Sequence, residues 1–498
     1  MGIPIKLGSA PRGSCYPQSS LKRGTALKFI LNNQATLLGL KPETANWIKH
    51  HLTLSNPKYE DARKMGRYTA NIPEKLAFFT DLENGLQCPR GFSDRAYRIC
   101  RQSEDKVEVE DHRRVLSPIN FKFTGTLREY QEMAVSEMIR HTHGTLSAPT
   151  GSGKTIMALA IIARQKQPTL IIVHTRELLN QWITAIERFL GIPCDEVGIL
   201  GGGKLKPGKI ISVGLVQTLK NKWPVIMKQV GHVIVDECHK CPARTFTDVI
   251  TKFDAKFFMG LSATPWRRDK LTPSIYFHLG EQRHQVPQEQ LFEDGNLIKP
   301  RVIPRETQFE TLTDPGRCYS LMMKELSQDL ERNRLICRDI SMDKNTGIKL
   351  ILSDRREHCH ELAKILETDF GLPSIVLTGS TPAREREEII SSLKETPSGT
   401  LISTIALLSE GFDLPQLSTL FLSTPIRFSG RLMQCLGRVL RPSPGKEKAT
   451  VYDYVDTQVG VLSNAAAARE RVYMDLFGTG FTPSTDVSME CANCLNPD

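Results

Sequence analysis

The stretch Ala148-Pro-Thr-Gly-Ser-Gly-Lys-Thr155 decides the fold. A short apolar run precedes it, and the helical text "KTIMALAIIARQ" (154–165) follows. A glycine-rich turn between a buried strand and a helix is the setting of a phosphate loop. Glycines let backbone N–H groups face phosphate oxygens, and the amino end of the helix adds positive field. Pro149, Thr150, Gly151, Ser152 and Gly153 form the expected cradle. Lys154 is expected to reach the β- and γ-phosphates and Thr155 to hold Mg²⁺, so ATP and Mg²⁺ are the cofactors this loop implies.

Working outward, Asp236-Glu237 closes the apolar run "HVIVDE" (232–237) about eighty residues downstream. Asp236 is placed to hold the Mg²⁺ through water. Glu237 is placed to orient and deprotonate the attacking water. Upstream, Leu127-Arg128-Glu-Tyr-Gln131 offers an amide with both donor and acceptor for an adenine edge, with Arg128 beside it.

Short apolar runs alternate with helical stretches on both sides of the loop. "TLIIVHT" (169–175), "KIISVGL" (209–215) and "FFMGLSAT" (257–264) read as buried parallel strands, with a helix at 176–190 between the first two. The pattern returns in "KLILSD" (349–354), "PSIVLTG" (373–379), "TLISTI" (400–405), "TLFLSTP" (419–425) and "ATVYDYV" (449–455). The expected fold class is α/β, with two tandem parallel-sheet domains at 116–300 and 346–480. A linker with a helical segment is expected at 301–345 and a tail at 481–498. Residues 1–115 read as a small basic α+β domain. In it "SSLKRGTALKFILNNQ" looks helical, and "PEKLAFFTDLENGLQCPRGF" looks like a hairpin turning near Glu83-Asn84-Gly85.

The net charge is +10, and the stretch up to Asn120, with 19 basic and 12 acidic residues, holds about +7 of it. That imbalance favours an acidic partner. In "NPKYEDARKMGRYT" (56–69), Lys58, Arg63, Lys64 and Arg67 alternate with Tyr59 and Tyr68, which suits backbone contact with base stacking. No apolar run is long enough to span a bilayer and no signal-peptide core opens the chain. The twelve cysteines are mostly scattered singly, as a reducing compartment allows. A cytoplasmic, nucleoid-associated location without membrane contact is expected. Cys238/Cys241 overlaps the acidic motif, and Cys491/Cys494 is half a zinc site at most.

The motifs resemble those of superfamily-2 helicases, and most of all the XPB-like and phage UvsW-like branch, which implies that the two tandem parallel-sheet domains are RecA-like. The matching text is Leu127–Gln131, Ala148–Thr155, "VHTRELLNQW" (173–182), "VGLVQTL" (213–219), "DECH" (236–239) and "LSATP" (261–265). The resemblance implies that Thr175, Arg176, Gln217 and Thr218 grip the phosphate backbone, and that Ser262 and Thr264 couple nucleotide to strand. XPB-like proteins follow with Arg-Glu-Asp. Here Arg267-Arg268-Asp269 has a base in the centre, so Arg267 is expected to contact phosphate instead.

In the second half, Arg438 and Arg441 share a face if helical and would reach the γ-phosphate across a cleft. With Gln434 and Gly437 they resemble the sixth helicase motif. "STIALLSEGFDLP" (403–415) resembles the fifth, which implies Ser403 and Thr404 on the strand and Gly411 and Asp413 at the nucleotide. Thr378 and Gly379 are implied near phosphates. Asp-Glu-Cys-His in place of Asp-Glu-Ala-Asp, and Gln-Cys-Leu-Gly-Arg in place of His-Arg-x-Gly-Arg, point away from the DEAD-box RNA branch. The expectation is a DNA helicase or translocase, monomeric in the family's manner, that remodels duplex or branched DNA. RNA-dependent ATPase activity, and a motor or recruitment role in a nuclease or defence complex, are the alternatives.

Overall fold

The computed structural model describes residues 26–104, 106–240, 243–263, 271–408, 414, 416–426, 429–446 and 448–477. Three sheets organise them, apart from a two-stranded ribbon of Thr53–Ser55 with Lys75–Ala77.

The first large sheet has eight strands in the order Lys204–Lys206, Gly198–Gly201, Ile211–Leu215, Thr169–Val173, His232–Val235, Phe257–Ser262, His143–Ser147, Gln282–Gln285. The central pairings are all parallel. Every residue of Thr169–Val173, His232–Val235 and His143–Ser147 is buried. Parallel strands are covered on both faces, so they read as unbroken apolar runs rather than alternation. The helix Arg176–Leu190 shows how one cover is built. Thr175 caps its start through Oγ1, Gly191 ends it at φ +64°, and Leu179, Trp182, Ile183, Ile186 and Leu190 line its inner face.

The second sheet is parallel throughout, in the order Pro300–Thr307, Ala449–Asp456, Leu417–Leu422, Ile348–Ser353, Gly399–Thr404, Ile375–Leu377. Strand Pro300–Thr307, of which 301–307 were expected to lie in the linker, is its edge strand and pairs with Ala449–Asp456 over eight positions. Pro300 and Pro304 masked the signal; an edge strand tolerates them because one side of its ladder is unpaired. In both sheets the loops at the carboxyl ends carry the motifs, which is where open α/β sheets bind ligands.

Ahead of these lies a five-stranded sheet ordered Thr80–Leu82, Gly85–Pro89, Gln34–Leu38, Leu27–Leu31, Val107–Asp111. The described part of the stretch expected to be helical is strand instead. Leu27 and Phe29 are buried while Lys28 between them is exposed, a two-residue period too short to stand out from a helical one. The Glu83-Asn84 turn does join two antiparallel strands.

This small domain docks on the first large one. Arg90, 4% exposed, donates from Nη1 to the Ala255 carbonyl (2.5 Å) and from Nη2 to that of Lys256 (2.9 Å), and its guanidinium lies 4.2 Å from the Phe258 ring centre. Burial lowers its pKa to about 9. A Cβ on Gly91 would stand 2.4 Å from the Gly280 nitrogen, so backbone meets backbone there. Arg114 forks onto Asp254 at 2.9 and 2.7 Å. "CPRGF" (88–92) is therefore largely docking text. These contacts meet the amino ends of strands Phe257–Ser262 and His143–Ser147, the edge opposite the phosphate loop. Among the described residues no helix is long and apolar enough to cross a membrane.

Candidate functional site

The glycine-rich loop connects strand His143–Ser147 to helix Lys154–Gln165. Gly151 at φ +93° and Gly153 at φ +82° occupy the left-handed region that glycine alone enters cheaply. A Cβ on Gly153 would also strike the Gln131 amide at 2.5 Å. Ser152 Oγ donates back to the Pro149 carbonyl at 2.7 Å. Lys154 Nζ donates to the Ala148 carbonyl at 3.0 Å and stands close enough to Asp236 to favour its charged form. Thr155 follows in the first turn of the helix.

Gln131 differs from its expected use. Its Nε2 donates to the Ser152 carbonyl at 2.9 Å, and its Oε1 accepts from the Arg128 N–H at 3.0 Å. Tyr130 Oη donates to the same Ser152 carbonyl at 2.9 Å. The amide thus braces the loop from below, and burial at 5% exposure explains why both its ends are committed to protein. Arg128 reaches Asn296, in the segment that leads to the second domain.

Asp236 follows strand His232–Val235, and both its oxygens are held. Oδ2 accepts from Trp182 Nε1 at 2.9 Å, and Oδ1 accepts from the Glu237 N–H at 2.8 Å. Burial and the neighbouring Glu237 push its pKa up, while the indole N–H and Lys154 oppose them. Glu237 has φ +45°, a left-handed geometry that costs a branchless acid about 1–3 kcal/mol and marks functional turns. Its Oε2 lies 3.3 Å from His239 Nδ1, which also lies 3.0 Å from Ser262 Oγ. Glu237, His239 and Ser262 form one chain of contacts from the acidic motif to the "SAT" strand end. Neither Trp182 nor His239 was singled out from sequence. Both lie in the motif text, Trp182 in "VHTRELLNQW" and His239 in "DECH", but neither was given a role there.

The second domain meets this loop directly. A Cβ on Gly437, in helix Ser429–Val439, would stand 2.4 Å from Thr150 Cβ. The Gly437 carbonyl and Arg441 Cγ lie 3.6 and 3.5 Å from where Gly151 would carry a side chain. Pro149, Thr150, Ala263, Leu436, Gly437 and Leu440 line a small space between the domains. Lys446 Nζ donates to the Val439 and Arg441 carbonyls and so closes the carboxyl end of that helix. Burial, then Arg441, lowers the Lys446 pKa to about 8. Arg438 and Arg441 are half-buried at the cleft. Gln434 lies in the same helix.

The expected gripping residues sit at the carboxyl edges, with differences in their side chains. Arg176 and Gln217 are exposed and Thr218 is half-buried. Thr175 spends its hydroxyl as a helix cap, accepting from Leu178 N–H at 3.2 Å. Thr378, 2% exposed, pairs its hydroxyl with Ser380 at 2.7 Å, while Gly379 beside it is exposed. Ser403 corrects the expectation for its side chain. It is fully buried in a strand flanked on both sides, with Oγ 3.4 Å from the Thr404 carbonyl, so the hydroxyl is turned inward. The two edges face each other: Arg386 Nη1 lies 3.8 Å from Glu177 Oε1. Thr264, Arg267, Gly411 and Asp413 lie outside the described residues, as do Cys241, Cys491 and Cys494.

Residues 124–267 match the family model described as type III restriction enzyme, res subunit, and residues 331–443 match the helicase conserved C-terminal domain. A putative ATP-dependent RNA helicase of Acanthamoeba polyphaga mimivirus is 30% identical over 90% of this chain and 84% of its own length. A probable helicase of Escherichia phage T5 is 28% identical over 74% of this chain and 79% of its own. A DNA 3'-5' translocase, XPB2, of Sulfurisphaera tokodaii is 26% identical over 69% of this chain and 86% of its own.

Proposed function

The chain belongs to the superfamily-2 helicases, in the branch that holds XPB and phage helicases, and from that premise we propose that it is an ATP-driven motor acting on DNA, with duplex or branched DNA as substrate. The observation that carries the motor reading is the seating of Gly437 and Arg441 on Thr150 and Gly151. A nucleotide in the loop would lie between two domains, so its γ-phosphate would control whether they stay together.

The residues fit ATP with Mg²⁺. The Thr155 hydroxyl and the Asp236 carboxylate are hard oxygen donors, and Lys154, next to Thr155 in the chain, donates to the loop and favours the charged form of Asp236. Bound there, Mg²⁺ would neutralise charge on the β- and γ-phosphate oxygens. The loop amides and Lys154 would hold the phosphates. Glu237 would accept the proton of the attacking water, with its carboxylate 3.3 Å from His239 Nδ1. Arg438 and Arg441 would complete the charge cage from the second domain. Arg176, Gln217 and Gly379, exposed at the carboxyl edges, would grip one strand by its phosphates.

DNA is preferred because the Asp-Glu-Cys-His and Gln-Cys-Leu-Gly-Arg texts depart from the DEAD-box pattern. The name of the mimivirus relative favours RNA as a second reading. ATPase rates with single-stranded DNA, duplex DNA, a four-way junction and RNA separate the two. Stimulation by DNA, greatest with the junction, is expected. Stimulation by RNA alone overturns the DNA assignment.

A further inference from the structure

Helix Pro57–Lys64 of the small domain ends in a projecting turn. The Gly66 N–H bonds the Arg63 carbonyl at 3.1 Å and the Arg67 N–H bonds the Ala62 carbonyl at 2.8 Å, with Gly66 at φ +61°. That pair of bonds is the Schellman closure of a helix. Its usual companion is an apolar residue folded back onto the helix from the position of Arg67. Here that position is an exposed arginine, and the apolar residues around it point outward. Met65 is 63% exposed and Tyr68 77%. Asn56 fixes the other end of the helix, accepting from Lys58 N–H at 3.1 Å and donating to the Pro73 carbonyl at 2.7 Å. The tip is therefore held from both sides while its large side chains face solvent. Tyr59, grouped with Tyr68 by the sequence, is half-buried and does not belong to it.

The charges around the tip are as telling. Other cations in the domain are paired, among them Lys28 with Glu110, Lys49 with Asp81, Lys106 with Glu108, Arg113 with Asp111 and Arg114 with Asp254, while Lys75 and Arg101, outside the tip, stand singly among the described residues. Lys58, Arg63, Lys64 and Arg67 are all exposed, and among the described residues none makes an ion pair or a side-chain hydrogen bond, although Glu60 and Asp61 share their helix. Four uncompensated cations around an outward tyrosine match a nucleic-acid strand whose bases are open to stacking. An intact duplex offers phosphates but no free base face. The domain docks at the edge of the first sheet opposite the phosphate loop and gripping residues, so a substrate touching both sites must extend past the tracked strand.

We infer that the turn Arg63-Lys64-Met65-Gly66-Arg67-Tyr68 is a second DNA site, which stacks Tyr68 on an unpaired base beside a duplex end and holds the flanking phosphates with Arg63, Lys64 and Arg67. This rests on the DNA motor reading above and names the substrate feature it selects, a branch point or fork.

The test uses the full chain and three fluorescein-labelled DNAs of matched sequence: a Y-shaped fork, a single strand and a blunt duplex. Tyr68→Ala should weaken fork binding by roughly fivefold to a hundredfold, the range of one lost base stack. It should leave blunt-duplex binding within about twofold. Tyr68→Trp should restore the fork preference, which a merely structural role would not predict. Arg63→Ser/Lys64→Ser/Arg67→Ser should weaken all three DNAs and flatten the salt dependence by about two to three units in log–log slope. Because the side chains are exposed, melting temperatures should stay at the wild-type value. Fork binding by the wild type that Tyr68→Ala leaves intact, or equal losses on fork and duplex, would overturn the tip site alone. A wild type that binds none of the three DNAs would overturn the DNA reading and the tip together.

Discussion

The indole N–H of Trp182 donates to Oδ2 of Asp236 at 2.9 Å, so the helix that begins at Arg176, a residue proposed to grip the strand, is tied to the carboxylate proposed to hold the metal. A hydrogen bond to a charged group contributes about 1.5–3 kcal/mol. Trp182→Phe keeps most of the apolar volume and removes the donor. ATP hydrolysis should fall about tenfold to a hundredfold, with a higher Mg²⁺ concentration needed for half-maximal rate. An unchanged Mg²⁺ requirement would show that Asp236 needs no help from the indole.

Glu237→Gln keeps the shape of the side chain at its strained φ +45° turn and removes the base. Affinity for a fluorescent ATP analogue should remain near wild type while turnover drops by about 10²–10⁴-fold. Undiminished hydrolysis would remove Glu237 from its assigned role.

Gly437→Ala tests the cleft directly. The new methyl would sit 2.4 Å from Thr150 Cβ, and neither atom is at the end of a flexible chain. The domains would be wedged apart, so nucleic-acid-stimulated ATPase should collapse while each domain keeps its own melting transition. Arg441→Ala should slow hydrolysis by about 10³–10⁵-fold if it acts as an arginine finger, with strand affinity retained. Equal stimulated rates for wild type and Gly437→Ala would mean the cleft works without this contact.

Acid should destabilise the fold through its buried histidines. Burial lowers His232 and His358 to about 3 and His278 to about 4. Each therefore binds its proton more readily when unfolded, so the stability gained from keeping it neutral is complete above about pH 6.5. It is lost as pH falls from there toward the folded values. His358 bridges Ser353 Oγ at 3.0 Å and Asn333 Oδ1 at 2.9 Å, which suits the neutral ring. Thermal melts from pH 8 to pH 4 should show a falling midpoint below about 6.5, with a shallower fall in His358→Leu. A variant slope matching wild type would exclude His358 as a contributor.

Most of the fold was legible because parallel strands such as Thr169–Val173 are continuous apolar runs, and because the helix Arg176–Leu190 announces both ends with Thr175 and Gly191. The nucleotide loop was legible for a similar reason: its chemistry is local in the chain. What escaped was set by distant partners. Leu27–Leu31 is strand because Gln34–Leu38 and Val107–Asp111 flank it, and Pro300–Thr307 is strand because Ala449–Asp456 accepts it at an edge. Gln131 looked like a base reader, and its amide is used instead on Ser152, twenty-one residues away. Ser403 looked like a strand contact, and its neighbours on both sides enclose it.

The clasp formed by Arg90, Gly91 and Arg114 makes the small domain a passenger of the first motor domain. If the cleft opens and shuts with the nucleotide, these contacts would keep the passenger at a fixed spacing from its carrier, and the second domain would do the swinging. A DNA arm pinned on the passenger and a strand held by the swinging domain would thus be levered against each other once per ATP, turning a small hinge movement into shear at the branch between them.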